Sequence, residues 1–266
     1  MDRLALVREF WDETPCDGQA TYAERSRFRY CKDPWLLPLI DRIAAAHQCV
    51  LEVGCGQGTD GVTLCRKLRP GSRYIGVDMS EVSLVRARSA AAEAGDSLAV
   101  TPVFEPANAE RLSFTDDSFA CVLSVGALHH SQNTEGAIQE IRRVLKPGGT
   151  AFVLLYRTIA PRVLAAHTLR AAQFCLDSVL RTDRALYRGF RSLQIGDGFG
   201  TAVYECFGVP ILRSYTRRGM HELFREFSSL RLSAHGSGLP LGGINRRLDR
   251  RIHNPLGYLW LAEAVK

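Results

Sequence analysis

The 266-residue sequence contains no apolar run approaching the roughly 20 residues that a bilayer-spanning helix needs. Its start, Met1-Asp2-Arg3-Leu4, lacks the basic-then-apolar order of a signal peptide. On these two absences a cytoplasmic location without a membrane span is expected. No Cys-x-x-Cys pair occurs, and none of the eight cysteines clusters with histidine at zinc-ligand spacing. The thiols read as reduced core residues, and no metal is expected. Repeats and low-complexity tracts are also missing, which excludes solenoids and leaves one good-sized core with room for a sizeable insertion.

Acidic residues are scarce in the second part of the chain. Residues 1–150 carry 17 Lys+Arg against 20 Asp+Glu, a net −3, whereas residues 151–266 carry 17 against 8, a net +9. A basic half attracts nucleic acid, an acidic membrane surface or an anionic small substrate, and is equally the mark of solvated helix faces. No appended nucleic-acid-binding module accompanies it and the arginines show no regular aromatic interleaving, so nucleic acid is not the expected partner.

Between residues 34 and 155 the sequence alternates helix and strand signals. Residues 34–46 have helical apolar spacing behind Pro34, and 49–53 form a short apolar run that ends in glycines, as a buried parallel strand does. A helix over 59–68, a strand over 74–77 and an alanine-rich helix over 81–94 with Ser80 as N-cap follow. Strands are expected at 100–104, 119–124 and 150–155, the last after the Pro147-Gly148-Gly149 turn, with a helix over 134–145. Such alternation predicts right-handed βαβ units and a sheet covered on both faces. Past Tyr156 the pattern changes to basic helices over 161–192 and an aromatic, glycine-containing loop over 193–215; strand character returns at 230–234 and 258–262. The expected organisation is an N-terminal helical cap (1–46), a ligand-binding core (47–156), a helical and loop insertion over the site (157–225) and C-terminal strands that complete the sheet (226–266).

The segment Glu52-Val53-Gly54-Cys55-Gly56-Gln57-Gly58 stands at the C-terminal end of the first strand, where an open α/β sheet binds its ligand. Glycines there allow a sharp turn and close approach of backbone to ligand. Asp78, at the end of the second strand and 20 residues beyond Gly58, offers two acceptor oxygens to the two hydroxyls of a ribose. Asn108-Ala109-Glu110 follows the third strand, where a polar side chain and a backbone N–H reach an adenine edge. A nicotinamide dehydrogenase also pairs glycines with an acid, but this loop is G-x-G-x-G, Glu52 precedes it by two, and no Tyr-x-x-x-Lys pair follows.

In order and spacing, E-V-G-C-G-Q-G, G-V-D-M-S, A-N-A-E, F-A-C-V-L-S-V-G-A-L-H-H and R-R-V-L-K-P-G-G resemble successive motifs of the class I S-adenosylmethionine-dependent methyltransferases across about residues 48–155. The resemblance implies a Rossmann-like α/β fold with a seven-stranded, mostly parallel sheet, helices on both faces and a helical insertion after the fifth strand. It implies S-adenosylmethionine as cofactor, with the methionine part on Glu52 and the Gly54, Gly56 and Gly58 loop, and the ribose on Asp78. Adenine would lie against Met79, Asn108, Ala109 and Glu110, with Val125 and Gly126 lining the cofactor by backbone. Tyr22, Phe28 and Tyr30 would be candidates for an aromatic lid.

Methyl transfer from a sulfonium disperses charge, so alignment and exclusion of water are the protein's main tasks, and a base is needed only for some acceptors. His130 is a candidate base, His129 a weaker one, and Tyr156 a candidate for acceptor contact; the first histidine is equally a cap for its loop. Phe199, Tyr204, Phe207, Arg213 and Tyr215 would bind a planar or prenyl-like anionic acceptor, or form the insertion's own small core. The expected function is methylation of a small molecule at carbon, nitrogen or oxygen, of specialised or quinone-type metabolism. The alternatives are a protein or RNA methyltransferase and a non-catalytic cofactor-binding subunit; against adenine-N6 or glutamine targets, the N/D-P-P-Y/F sequence those enzymes use is replaced here by Ser124-Val125-Gly126-Ala127. A homo-oligomer is compatible with the sequence.

Overall fold

The computed structural model describes residues 3–13, 19–182, 208–236, 254 and 256–266. Three helices lead into the sheet: α1 (Arg3–Glu13), α2 (Tyr22–Lys32) and α3 (Leu36–Ala46). A capping box starts α2, Thr21 and Glu24 each accepting the other's backbone N–H at 3.2 Å. β1 (Cys49–Val53) is buried on both faces, and its alternation sends Val50 into one core layer and Leu51 and Val53 into the other. Then come α4 (Thr59–Cys65), β2 (Arg73–Asp78), α5 (Glu81–Ala94), β3 (Val103–Pro106), β4 (Phe119–Val125), α6 (Thr134–Val144), β5 (Leu145–Tyr156), α7 (Pro161–Leu180), α8 (Arg217–Leu223), β6 (Ser229–His235) and β7 (Leu259–Val265).

The seven strands lie in the order β3-β2-β1-β4-β5-β7-β6. Neighbours among β1 to β5 pair in parallel, while β7 runs antiparallel to both β5 and β6. The chain winds outward from β1 to β3, then crosses back to place β4 on the other side of β1. That reversal opens a crevice at the carboxyl ends of β1 and β4, where doubly wound sheets bind ligands. Helices α3, α4 and α5 cover one face; α6 and α8 cover the other.

Helix α3 starts at Leu36 rather than 34 and α4 ends at Cys65 rather than 68, and three strand boundaries differ from expectation by more than one residue. The third strand is Val103–Pro106, not 100–104: the backbone N–H groups of Ala99 and Val100 both donate to Cys65 O (3.1 Å), which ties that stretch to the end of α4 before the strand begins. The fifth strand starts at Leu145, before the Pro147-Gly148-Gly149 turn, because a register shift lets β4 pair Phe119 with Leu145 and then Cys121 with Thr150. The last strand is Leu259–Val265 rather than 258–262, in continuous register with β5 from Tyr156 to Thr150. Helix α7 agrees with the helical pattern after Tyr156, whereas residues 183–207, with Phe199, Tyr204 and Phe207, lie outside the described residues. Among the described residues no helix is long and apolar enough to cross a membrane.

Candidate active site

After Val53 the backbone N–H groups of Gly54 and Cys55 both donate to Val77 O (2.7 and 3.0 Å), so the glycine loop is tied to the end of β2. A Cβ on Gly54 would lie 2.1 Å from Ala127 Cβ, so the absence of a side chain lets the loop pack against the turn that follows β4. Gly58 serves packing instead: its Cβ would meet Ala87 of α5 at 2.8 Å, and it does not line the cavity beneath the loop. Gly56 lines that cavity with φ +50 and has nothing within 4 Å of the place a Cβ would take. Gly56→Ala is therefore expected to lower stability by only about 1 kcal/mol, the cost of a left-handed alanine, while its methyl group occupies ligand space. Cofactor affinity should fall by more than the fold loses, which thermal melts with and without ligand would read; equal affinity in the variant would remove Gly56 from the site.

Asp78 organises the loop from the other side. Its Oδ2 accepts from Gly56 N at 2.8 Å and its Oδ1 from Ser80 N at 2.9 Å. Burial pushes its carboxyl above the usual range, while the backbone N–H groups of Ser80, Gly56 and Met79 pull it back. Ser80, the N-cap of α5 as its sequence implies, accepts from Ser83 N and donates to Asp12 Oδ1 (2.6 Å), which pins α1 over the crevice. Met79, Asn108, Ala109, Glu110, Val125 and Gly126 all line the same cavity. Asn108 Oδ1 accepts from Glu110 N, and Glu110 Oε1 accepts from Asn133 N at the start of α6, both at 2.9 Å.

Beneath the loop, Glu52 is 2% exposed and accepts from Tyr74 Oη at 2.5 Å. Burial, then the Asp60 carboxylate, raises the Glu52 carboxyl well above its ordinary range, against the Tyr74 hydrogen bond that favours ionisation. Asp60 is held by the Arg29 guanidinium, with Nη2 to Oδ2 at 2.6 Å and Nε to Oδ1 at 3.3 Å, and accepts from Tyr30 Oη at 3.0 Å. Tyr30 thus braces Asp60 from behind, and of this helix it is Arg29 and Lys32, not Tyr30, that line the cavity. Tyr22 is likewise turned inward, its hydroxyl 2.9 Å from Thr63 Oγ1. Helix α2 therefore gives the cavity the cationic Arg29 and Lys32 rather than an aromatic lid.

The cavity is also lined by the rings of Trp11, Trp35, His130, Tyr156 and Tyr258, with His130 5.9 Å and Tyr258 6.0 Å from Tyr156 between ring centres. His130 Nδ1 lies 2.7 Å from Ile211 O. A carbonyl only accepts, so Nδ1 carries the proton and Nε2 is the nitrogen whose lone pair can take one. The Trp11 ring stands 5.3 Å from the His130 ring. His129 is fully buried and stacked on Tyr156 at 3.7 Å between centroids; burial, then the neighbouring His130, pushes its basicity far down, so it stays neutral and structural.

Two expected acceptor contacts are not at the cavity. Arg213 is exposed and donates to Ser131 O and Gln132 O, and Tyr215 packs into the opposite core layer with its backbone N–H on Tyr156 O. Both are drawn away because residues 211–215 run alongside the loops that follow β4 and β5. Tyr204 lies outside the described residues. Trp11, Arg29, Asp33 and Tyr258 escaped sequence reasoning, since each comes from a segment without a motif; the one available signal was the pairing of aromatics and cations in residues 10–35 ahead of the first strand. Among the described residues no group of three or more His, Cys, Asp or Glu side chains is placed to hold a metal.

A family model described as a methyltransferase domain matches residues 50–149. The ubiquinone/menaquinone biosynthesis C-methyltransferase UbiE of Geobacter sulfurreducens is 32% identical over 182 residues, covering 61% of this chain and 70% of that protein. Two other curated relatives are spanned for only 29% and 55% of their length. Among solved structures, a methyltransferase of Thermotoga maritima described as a possible histamine N-methyltransferase matches with a TM-score of 0.60 and 16% identity over 98% of this chain and 99% of its own. Magnesium protoporphyrin IX methyltransferase from Synechocystis PCC 6803, solved with bound S-adenosylhomocysteine, matches with 0.58 and 14% over the full length of both. At these identities the structural likeness is one of fold.

Proposed function

We propose that this chain, which belongs to the class I S-adenosylmethionine-dependent methyltransferases, transfers a methyl group from that cofactor to a small-molecule acceptor with an aromatic or isoprenoid body. One observation carries this reading: one cavity is lined both by the glycine loop with the carboxylates of Glu52, Asp60 and Asp78 and by the rings of Trp11, Trp35, His130, Tyr156 and Tyr258. In it, residues 1–46 form the cap, 47–156 the cofactor-binding core, 157–225 the acceptor-side insertion and 226–266 the strands that complete the sheet.

The residues present fit the cofactor. Asp78 would take the ribose hydroxyls, Met79, Ala109 and Glu110 the adenine, and the Gly54–Gly56 backbone the methionine part. Asp60 supplies negative potential for a cationic donor, and Arg29, paired with Asp60 at the cavity wall, offers a partner for its carboxylate. S-adenosylmethionine, when bound, supplies a methyl group on sulfonium for in-line displacement. The chain's own part is to align the acceptor among Trp11, Tyr156 and Tyr258, to exclude water with α1, and to receive an acceptor proton at His130 Nε2 where the acceptor is a phenol or alcohol.

The test is a calorimetric titration of the full chain with S-adenosylmethionine and S-adenosylhomocysteine, followed by transfer of labelled methyl to a panel of quinols, phenols and prenylated aromatics. Micromolar binding of both ligands and labelling of an aromatic acceptor are expected. Binding without transfer to any small acceptor, but with labelling of protein or RNA, would overturn the acceptor class; no binding of either ligand would overturn the whole reading.

A further inference from the structure

Asp33, which follows the last turn of α2, lines the cavity at 3% exposure. Among the described residues its side chain makes one hydrogen bond, Oδ1 accepting from Trp35 Nε1 at 3.3 Å, and it enters no ion pair. The cavity's two cations do not serve it: Arg29 is taken by Asp60, and no salt bridge joins the partly exposed Lys32 to Asp33. Other carboxylates of the same cavity are better supplied, Asp60 by a guanidinium and a hydroxyl and Asp78 by two backbone N–H groups. A carboxylate out of water is stable when a cation or several donors surround it, so one left with a single long hydrogen bond at a cavity wall is completed by what enters the cavity.

Rings surround this carboxylate. The place that a Cβ of Gly236 would take lies 3.3 Å from Asp33 Oδ1 and 2.6 Å from Tyr258 Cε1, so the carboxylate and the Tyr258 ring flank one glycine. Trp35, the donor to Asp33, stacks on His235 at 4.7 Å between ring centres, and Tyr156 stands 6.0 Å from Tyr258. Trp35, Tyr156 and Tyr258 line the cavity with Asp33. An aromatic face attracts an organic cation through its quadrupole, and a carboxylate takes the N–H groups of a protonated amine in charge-assisted hydrogen bonds. The Tyr258 ring already holds a cation in this way, the Arg162 guanidinium 4.7 Å from its centre.

The strand order separates Asp33 from the part of the cavity that fits the cofactor's methionine. Gly236 directly follows β6, and three strands, β4, β5 and β7, stand between β6 and β1, which carries the glycine loop. Tyr156, Leu259 and His235 form one row across β5, β7 and β6, which puts Asp33 on the side of the Tyr156 ring. We propose that Asp33 binds an ammonium group of the acceptor, so that the substrate class is an aromatic molecule carrying a protonated amine. That this ligand is the methyl acceptor rests on the methyl-transfer reading; the ammonium subsite does not.

The experiment is calorimetric titration of the full chain, with and without saturating S-adenosylhomocysteine. The probes are phenethylamine, tyramine and tryptamine, each against the alcohol of the same skeleton, phenethyl alcohol, tyrosol and tryptophol. Wild type is compared with Asp33→Asn, which keeps an oxygen for the Trp35 N–H and removes the charge. The wild type should bind the amines at least about tenfold more tightly than the alcohols, and Asp33→Asn should bring each pair within about threefold. The variant should melt at the same temperature or higher, because a buried charge without a counter-charge is gone. Its affinity for S-adenosylhomocysteine should stay within about threefold of wild type. Equal wild-type affinity for amines and alcohols would overturn the subsite on the unaltered protein, and so would a preference that survives in Asp33→Asn. A variant that loses S-adenosylhomocysteine affinity instead would overturn the assignment to the acceptor, since Asp33 would then hold the cofactor's own ammonium. Amine preference that stands while S-adenosylhomocysteine fails to bind would count against the methyl-transfer reading alone.

Discussion

Asp78→Asn is expected to weaken S-adenosylmethionine binding by at least about 100-fold, because two charge-assisted hydrogen bonds from ribose hydroxyls, each worth about 1.5–3 kcal/mol, lose their ionic acceptor. The fold should lose far less. Burial raises the Asp78 carboxyl, so its charged form is held at a cost. A group raised on folding stabilises the protein below its unfolded pKa and loses that contribution as pH rises through the folded value. Removing the charge therefore relieves one penalty at neutral pH. It introduces another, since the two carboxylate oxygens accept separately from Gly56 N and Ser80 N and an asparagine offers a single carbonyl to the pair. With these terms opposed, the melting temperature should move by no more than a few degrees, while calorimetry registers the lost affinity. The same logic gives wild-type binding an acid limb: as pH falls through the raised carboxyl pKa, Asp78 takes a proton and donates where the hydroxyls need an acceptor. Affinity within a factor of about three of wild type would remove Asp78 from the ribose role.

The position of Asp78 was legible because strand ends in a parallel sheet are fixed by the sheet itself. Once β1 and β2 are placed as neighbours, the loop after one and the carboxylate after the other must meet. The same holds for Asn108 to Glu110 after β3 and for Val125, Gly126 and His130 after β4, all of which line one cavity. Tyr30, Arg213 and Tyr215 show where that logic ends. They belong to segments outside the sheet, where which way a side chain points depends on the partner it finds: Tyr30 found Asp60, and Arg213 the carbonyls of Ser131 and Gln132. Sequence spacing carries no record of such partners. Trp11 was hidden for the same reason, since the orientation of α1 is set by the Asp12 to Ser80 hydrogen bond, 68 residues apart in the chain.

Gly61→Ala is expected to cost about 3 kcal/mol or more, the upper range for forcing a methyl group into a packed core, and to lower the melting temperature by roughly 6–12 °C. Gly61 lies in α4 with no unusual backbone angle, and nothing in its sequence context marks it. Its missing Cβ is what the site is built around: a methyl there would stand 2.0 Å from Tyr74 Oη, 2.5 Å from Tyr74 Cζ and 3.0 Å from Glu52 Oε2. Tyr74 and Glu52 are both buried, so the ring must move, and its hydroxyl must leave the carboxylate it donates to. The loss should depend on pH. Burial raises the Glu52 carboxyl, so the stability this group contributes is present in acid and lost as pH rises through its folded pKa. It is in the ionised state that the Tyr74 hydroxyl matters most, as the donor facing a buried charge. The deficit of Gly61→Ala should therefore widen from mildly acidic to mildly alkaline buffer, while that of Gly56→Ala, which touches no titrating group within 4 Å of the added methyl, stays constant. Adding Tyr74→Phe removes the nearest clashing atom but leaves Cζ in place, so the double variant should recover part of the loss and fall short of the sum of the two single changes. Strict additivity, or a deficit indifferent to pH, would mean that Gly61 packs against the ring without holding the hydroxyl on Glu52.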